Sequence, residues 1–170
     1  MTNVYLVGFM GAGKSGVGTV LAGRLGRIFV DLDVSVEARL GMTVREIFEC
    51  CGEDGFRAAE TAELERTTAR RDLVVATGGG AFAREANREL IRSSGGVSVF
   101  LDTPWDVIRE RLGSSDPERP KWSNGARDLF LARRGDYRRA DIRLQLTGGE
   151  RPAEVAEAIC VRLAELPCAC

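Results

Sequence analysis

A glycine-rich segment near the N-terminus has the residue types and spacing that bind phosphate groups. Residues 8–15 read Gly-Phe-Met-Gly-Ala-Gly-Lys-Ser, which matches the phosphate-binding pattern G-x-x-x-x-G-K-[ST]. A short apolar run of strand type precedes the segment, and apolar residues at helical spacing follow it. In such a strand–loop–helix unit, backbone N–H groups and the helix N-terminus bind phosphate oxygens. The motif therefore predicts a polyphosphate ligand, with Lys14 on the β- and γ-phosphates and Ser15 offering its hydroxyl to Mg²⁺.

Two carboxylates, Asp31 and Asp33, close a second strand candidate at 28–32. Residues i and i+2 of an extended segment lie on the same face, so we expect these side chains to be neighbours. One carboxylate could hold Mg²⁺ through water, and the other could accept a proton from a hydroxyl nucleophile. The alternative is that an Asp here simply caps the N-terminus of the next helix.

Three further groups of residues could contribute to a ligand site. Thr77 is followed by three glycines, which give backbone amides close access to a ligand and tolerate positive φ; an ordinary loop is the alternative. Arg57 and Glu60 lie three residues apart on a helix and can touch, although alone they indicate only a surface ion pair. Arg133 and Arg134 lie near a helix C-terminus, where basic residues also suit the helix dipole.

The composition limits the classes of protein that the chain can belong to. Its 170 residues, 44% hydrophobic and 29% charged, suit one α/β domain. The net charge is −1 without a basic block, so no nucleic-acid partner is expected. No apolar run approaches the roughly 18 residues of a membrane span, and no signal peptide is evident, which predicts a cytoplasmic protein. The sequence contains 0 histidines, so any general base must be a carboxylate, Lys or Tyr.

The cysteines do not indicate a disulfide framework. There are 5, an odd number, and Cys50 and Cys51 are adjacent in the chain. The tail contains Cys168 and Cys170, which could bind a soft metal, but a frayed terminus is the expectation. No zinc site is predicted.

Short strand-like runs alternate with helical patterns along the chain, which predicts a parallel sheet with right-handed crossovers. Near-continuous apolar strands favour helices on both faces, and ligands are expected at the carboxyl ends of the strands. The strand candidates are 3–8, 28–32, 73–77, 97–101 and 142–146. The helix candidates are 14–25, 34–40, 43–50, 55–71, 83–93, 104–112, 125–138 and 152–166. Residues 113–124 are polar and turn-rich, which indicates a functional loop or, as the alternative, a disordered insertion.

Taken in order, these motifs resemble the shikimate kinase family, small P-loop kinases of aromatic amino-acid biosynthesis. The resemblance covers about residues 4–165. It rests on the phosphate-binding loop, Asp31-x-Asp33, Gly-Glu-x-x-Phe-Arg-x-x-Glu at 52–60, Thr77-Gly-Gly-Gly80, Arg119-Pro120, Arg133-x-x-x-Tyr137 and Pro152. It implies a three-layer P-loop kinase fold with a five-stranded parallel sheet of order 2-3-1-4-5 and helices on both faces. A single domain over residues 1–170 would include a substrate-binding subdomain at about 33–60 and a lid at about 112–124.

The resemblance also implies an activity: ATP-dependent, Mg²⁺-dependent phosphorylation of the 3-hydroxyl of shikimate. Lys14 would hold the γ-phosphoryl group, Ser15 would ligate Mg²⁺, and Asp31 would hold the water shell of that ion. Asp33 would bind the shikimate hydroxyl and act as the base. Arg57 and Arg133 would clamp the shikimate carboxylate. The resemblance further places Gly78, Gly79 and Gly80 along the ring of the acid, with Phe48 and Phe56 nearby, and Gly11, Ala12, Gly13, Gly16, Arg111, Arg119, Arg151 and Pro152 around the nucleotide.

The chain departs from the family pattern at three places. Gly16 replaces the usual Thr or Ser, which removes a hydroxyl contact to the α-phosphate. Lys121 replaces the usual Leu of the lid, and Gly135-Asp136 replaces a segment that commonly carries Pro, so Arg134 is a rival of Arg133 for the carboxylate. Two other functions stay open: a kinase of another small hydroxy acid such as gluconate, and a nucleotide-binding module without catalysis. No exposed apolar stripe is obvious, so a monomer is expected.

Overall fold

A computed structural model describes residues 2–113 and 125–166 of the chain. Five parallel strands form one sheet of order β2-β3-β1-β4-β5, as the resemblance implied. The strands are β1 Val4–Val7, β2 Ile28–Asp31, β3 Leu73–Ala76, β4 Val97–Asp102 and β5 Ile142–Gln145. The central strand β1 pairs with β3 (Val4 opposite Val74) and with β4 (Val4 opposite Val97). All carboxyl ends therefore lie at one edge of the sheet.

Seven helices are found in the described residues, and most begin or end within two residues of their predicted positions. They are α1 Lys14–Leu25, α2 Leu32–Leu40, α3 Val44–Thr68, α4 Glu85–Ser93, α5 Trp105–Leu112, α6 Ala126–Tyr137 and α7 Pro152–Ala164. The prediction of separate helices at 43–50 and 55–71 is confirmed, since α3 consists of two helical segments that meet at a kink, although the break is only one residue long. A single non-helical residue, Gly52 (φ 69°, ψ −175°), kinks α3, and the helix resumes directly after it.

Side chains of the buried strands alternate between two cores. Val4 and Leu6 of β1 pack with one face of α1 and α7, whereas Tyr5 and Val7 pack with residues of α3, α4, α5 and α6. This alternation follows from the two-residue repeat of a strand covered on both faces. A third, smaller cluster of Val36, Ile47 and Phe56 joins α2 to α3 and is separate from the two cores of the sheet.

No helix in residues 2–113 or 125–166 is long and apolar enough to cross a membrane.

Candidate active site

The phosphate-binding loop follows β1, the central strand of the sheet. Gly8, Gly11 and Gly13 adopt positive φ (145°, 76° and 93°), which a residue with a side chain rarely does. Gly13 caps α1 without a side-chain hydrogen bond, so no side chain of the cap competes for the first N–H groups of the helix. Lys14 Nζ donates to the carbonyl oxygens of Gly8 (2.8 Å) and Phe9 (2.9 Å). The loop thus presents backbone N–H groups and one ammonium to a phosphate.

Ser15 and Asp31 meet beside this loop. The Ser15 hydroxyl donates to Asp31 Oδ2 at 2.6 Å. A hydroxyl and a carboxylate are hard oxygen donors, and Mg²⁺ prefers such ligands while keeping several waters. The pair therefore fits the predicted magnesium site.

The two aspartates do not share an extended segment, so that prediction was wrong. Asp31 ends β2, and its Oδ1 accepts from the backbone N–H groups of Asp33 (3.2 Å) and Val34 (3.5 Å), which starts α2 at Leu32 rather than 34. Asp31 is consequently both the helix cap and the partner of Ser15. Asp33 lies in the first turn of α2, and its Oδ1 approaches Gly78 so closely that a Cβ there would lie 2.8 Å away.

Each glycine of the 78–80 loop faces a charged side chain. A Cβ on Gly78 would lie 2.2 Å from Glu60 Oε1, and one on Gly80 would lie 2.5 Å from Arg57 Cζ. A Cβ on Gly79 would lie 3.7 Å from Arg133 Nη1. None of the three glycines has positive φ, so the expected reason for them was incomplete. They are required for close approach, because side chains at 78 and 80 would occupy the positions of the carboxylate and the guanidinium.

Arg57 and Glu60 form a buried ion pair, which corrects the surface pair that the spacing alone indicated. Arg57 Nη1 donates to Glu60 Oε2 at 2.6 Å, and the two side chains are 12% and 0% exposed. Burial raises the pKa of Glu60, and the nearby Arg57 guanidinium opposes that shift. The Arg57 guanidinium also lies 5.0 Å from the centroid of the Phe56 ring, which packs against Phe48. These contacts fix the guanidinium against the glycine loop.

Helix α6 carries both candidate arginines and directs their side chains to different partners. Arg133 is buried and hydrogen-bonds the hydroxyl of Tyr137, which donates to the carbonyl oxygen of Gly79. Burial raises the pKa of Tyr137 to about 12, so its hydroxyl stays protonated at neutral pH. Arg134 points elsewhere: its Nε and Nη2 each lie 3.1 Å from a carboxylate oxygen of Asp102 at the end of β4.

Arg143 of β5 also contacts Asp102, with Nε donating to Oδ2 at 2.9 Å. The Asp102 side chain is 2% exposed and is held by two cations. It therefore fastens α6 and β5 to β4.

Two of the residues predicted around the nucleotide, Arg111 and Pro152, lie against the phosphate-binding loop and the start of α1. Arg111 donates to the carbonyl oxygens of Gly11 (3.3 Å) and Gly148 (3.2 Å), so it bridges this loop to the segment before α7. Pro152 begins α7, and its Cγ would lie 3.8 Å from a Cβ on Gly16. Arg151 is exposed and pairs with Glu154 at 2.8 Å.

Several predictions fall on residues outside the described ranges. They concern Arg119, Pro120 and Lys121 of the lid, and Cys168 and Cys170 of the tail.

Sequence reasoning missed the structural role of two buried residues. Glu60 was seen only as half of an ion pair, and Tyr137 only as part of a motif. The signal for both was spacing, since each lies one helical turn from an arginine of the site.

In this structure a phosphate-binding loop follows the central strand of a parallel sheet, and one carboxylate and two guanidinium groups lie nearby. This arrangement defines a P-loop kinase of small molecules. Comparison with known proteins narrows this class. The family model for shikimate kinase matches residues 10–164. A shikimate kinase from Persephonella marina is 41% identical over 166 residues, covering 96% of this chain and 99% of that protein. The chain belongs to the shikimate kinase family.

Solved structures agree with this assignment. A shikimate kinase from Acinetobacter baumannii, in complex with shikimate, superposes with a TM-score of 0.90 at 38% identity, covering 98% of this chain and 96% of that one. A gluconokinase from Sinorhizobium meliloti has a TM-score of 0.61 at 23% identity over 96% of this chain and 94% of its own. That second likeness shows a common fold alone.

Proposed function

We propose that the protein transfers the γ-phosphoryl group of ATP to the 3-hydroxyl of shikimate, yielding shikimate 3-phosphate and ADP. Membership of the shikimate kinase family supports the reaction. The single observation that carries the site assignment is the convergence of Asp33, Arg57 and Arg133 on the glycine loop at 78–80. One carboxylate and two guanidinium groups match an acceptor that has both a hydroxyl and a carboxylate.

In this proposal the acid lies against the glycine loop. Arg57 and Arg133 bind its carboxylate, because a planar guanidinium matches a carboxylate in geometry and keeps its charge at any physiological pH. Asp33 accepts a hydrogen bond from the 3-hydroxyl and takes its proton as the oxygen attacks phosphorus. Gly78, Gly79 and Gly80 line the ring, and the lack of side chains at 78 and 80 lets Glu60 and Arg57 lie against the loop. Glu60 and Tyr137 hold the two arginines in position through the contacts described above.

The nucleotide occupies the phosphate-binding loop in the same proposal. The backbone of Gly11, Ala12 and Gly13 surrounds the β-phosphate, and the ammonium of Lys14 stabilises charge on the transferring group. Ser15 and Asp31 would hold Mg²⁺, which neutralises phosphate charge when bound. The backbone at Gly16 lies beside this site. The side chains around the adenine are Arg111, Arg151 and Pro152, and Arg119 stays a proposed contact to the phosphates.

We also propose that the substrate-binding subdomain comprises α2 and the first part of α3, about residues 33–60. The separate cluster of Val36, Ile47 and Phe56 supports this division, because it contains no strand residue and its Phe56 ring packs against the Arg57 guanidinium. The whole chain, 1–170, would then be one domain with a lid at about 112–124. A cytoplasmic, monomeric enzyme without a nucleic-acid partner stays a prediction.

The gluconate alternative shares the fold and would also use an arginine clamp. The family match and the buried Arg57–Glu60 pair under three glycines favour shikimate. A nucleotide-binding module without catalysis is the weaker alternative, because Lys14, Ser15, Asp31 and Asp33 are all present and suitably placed.

A coupled ADP-release assay with Mg-ATP tests the proposal, using shikimate, gluconate and no acceptor in parallel. We expect release with shikimate only, and mass spectrometry of the product should show one added phosphoryl group. Release with gluconate but not shikimate would keep the mechanism and overturn the substrate. ATP binding without turnover on either acid would overturn the assignment as an enzyme.

A further inference from the structure

Two exposed thiols lie at the kink of α3, and a half-buried thioether lies beside one of them. Cys50 and Cys51 are the last residues before Gly52, and both are exposed. Cys50 Sγ lies 2.9 Å from Cys51 Sγ and 4.0 Å from Met42 Sδ. Met42 belongs to the short connection between α2 and α3, so the sulfur cluster joins that connection to the kink. None of these side chains takes part in the proposed phosphoryl transfer.

Two chemistries could use such a pair of thiols, and the geometry distinguishes them. A disulfide needs its two sulfurs about 2.05 Å apart and its two Cα atoms usually about 4.4–6.8 Å apart. Adjacent Cα atoms across a trans peptide are only about 3.8 Å apart. A disulfide between Cys50 and Cys51 would therefore require the end of this helical segment to unwind.

A thiophilic cation requires less change. With metal–sulfur bonds of about 2.3 Å, the length of a zinc–thiolate bond, tetrahedral to trigonal angles place the sulfurs about 3.8–4.0 Å apart. The separation of 4.0 Å between Cys50 Sγ and Met42 Sδ already meets this distance. The 2.9 Å separation of the two thiols can widen to it by side-chain rotation alone, because both side chains are exposed.

We propose that Cys50, Cys51 and Met42 form a binding site for one soft cation of the Cu(I) class. Thiolate and thioether sulfurs select such cations over Mg²⁺, which prefers oxygen ligands. On binding, both thiols lose a proton to solvent, two metal–thiolate bonds form, and the thioether donates a lone pair. No electron is transferred. A bound cation would link the segment between α2 and α3 to the kink of α3, so it should stabilise the folded chain.

The test is an anaerobic titration of the full chain with Cu(I), in competition with a chromogenic Cu(I) chelator. The background protein has Cys168→Ser and Cys170→Ser, so that the tail contributes no sulfur ligand. We expect one tightly bound Cu(I) per chain and a higher melting temperature with Cu(I) than without it.

Single substitutions then assign the ligands. Cys50→Ser and Cys51→Ser should each abolish tight binding, and Met42→Leu should weaken it by about tenfold, equivalent to 1.4 kcal/mol. Cys160→Ser, at a half-buried position in α7, is the matched control and should bind like the background. Because Cys50 and Cys51 are exposed, these variants should fold normally, which the melting temperature without metal checks.

Three results would overturn the proposal. The first is tight binding that survives Cys50→Ser or Cys51→Ser. The second is an unchanged affinity in Met42→Leu, which would exclude the three-sulfur site. The third is a freshly reduced protein that binds no Cu(I) and becomes lighter by two hydrogens in mild oxidant, which would assign the thiol pair to a disulfide instead.

Discussion

Replacing Gly80 with alanine adds one methyl group directly opposite the Arg57 guanidinium. The new Cβ would lie 2.5 Å from Cζ and Nη2 and 2.6 Å from Nη1, whereas unstrained contacts begin near 3.5 Å. The guanidinium must therefore move by about 1 Å, against its contacts with Glu60 and Phe56. Such a shift should break a hydrogen bond to the shikimate carboxylate that is worth about 1.5–3 kcal/mol. The KM for shikimate should rise by about 10- to 150-fold.

The measurement is steady-state ADP release with shikimate varied at saturating Mg-ATP, and then with ATP varied at saturating shikimate. Only the KM for shikimate should change. Gly23→Ala, at an exposed position of α1 outside the site, is the matched control, because its Cβ would meet nothing within 4 Å. A melting curve of each variant checks that it folds. An unchanged KM for shikimate in Gly80→Ala, or an equal rise in the KM for ATP, would refute the assignment of Arg57 to the acid.

Other substitutions test other parts of the site. Asp33→Asn should lower kcat by about 10²- to 10⁴-fold with ATP affinity kept, since the base is lost; an unchanged kcat would exclude that role. Gly16→Ser should lower the KM for ATP by about tenfold, because the position is open and the hydroxyl restores a phosphate contact; isothermal titration with ATP provides the check. Arg133→Ala should raise the KM for shikimate by at least about tenfold, whereas Arg134→Ala should lower the melting temperature and leave that KM unchanged. The opposite result would exchange the two arginines.

The fold could be predicted from the sequence because its signals are local and strong. Strands such as Leu73–Ala76 are continuous apolar runs, and the alternation with helices specifies a parallel sheet. The kink in α3 could not be located as a single residue, since Gly52 and Gly55 both interrupt the helical pattern. Only the structure shows that Gly55 stays helical, with Gly52 alone in the left-handed region.

The site was predictable as a set of residue types and less so as a geometry. The spacing of Asp31 and Asp33 was consistent with a shared face of one strand, but the Asp31 carboxylate caps α2 and so ends the strand between them. The burial of Arg57 and Glu60 could not be predicted from the sequence either, because an i, i+3 spacing is the same in a surface pair and in a buried one. Which of Arg133 and Arg134 faces the glycine loop depends on how α6 is rotated, and the rotation is fixed by Asp102, far away in the sequence.

The two arginines of the acid site lie on helices that are anchored to the sheet to different degrees. Arg133 is followed on α6 by two contacts, because Arg134 donates to Asp102 of the sheet and Tyr137 donates to the carbonyl oxygen of Gly79 in the glycine loop. Any rotation of α6 would disrupt both contacts. Arg57 stands on the part of α3 beyond the Gly52 kink, beside the small cluster that α2 shares with α3. Changes in acceptor preference among related enzymes should therefore accumulate in α2 and α3, while α6 stays a constant reference for the carboxylate.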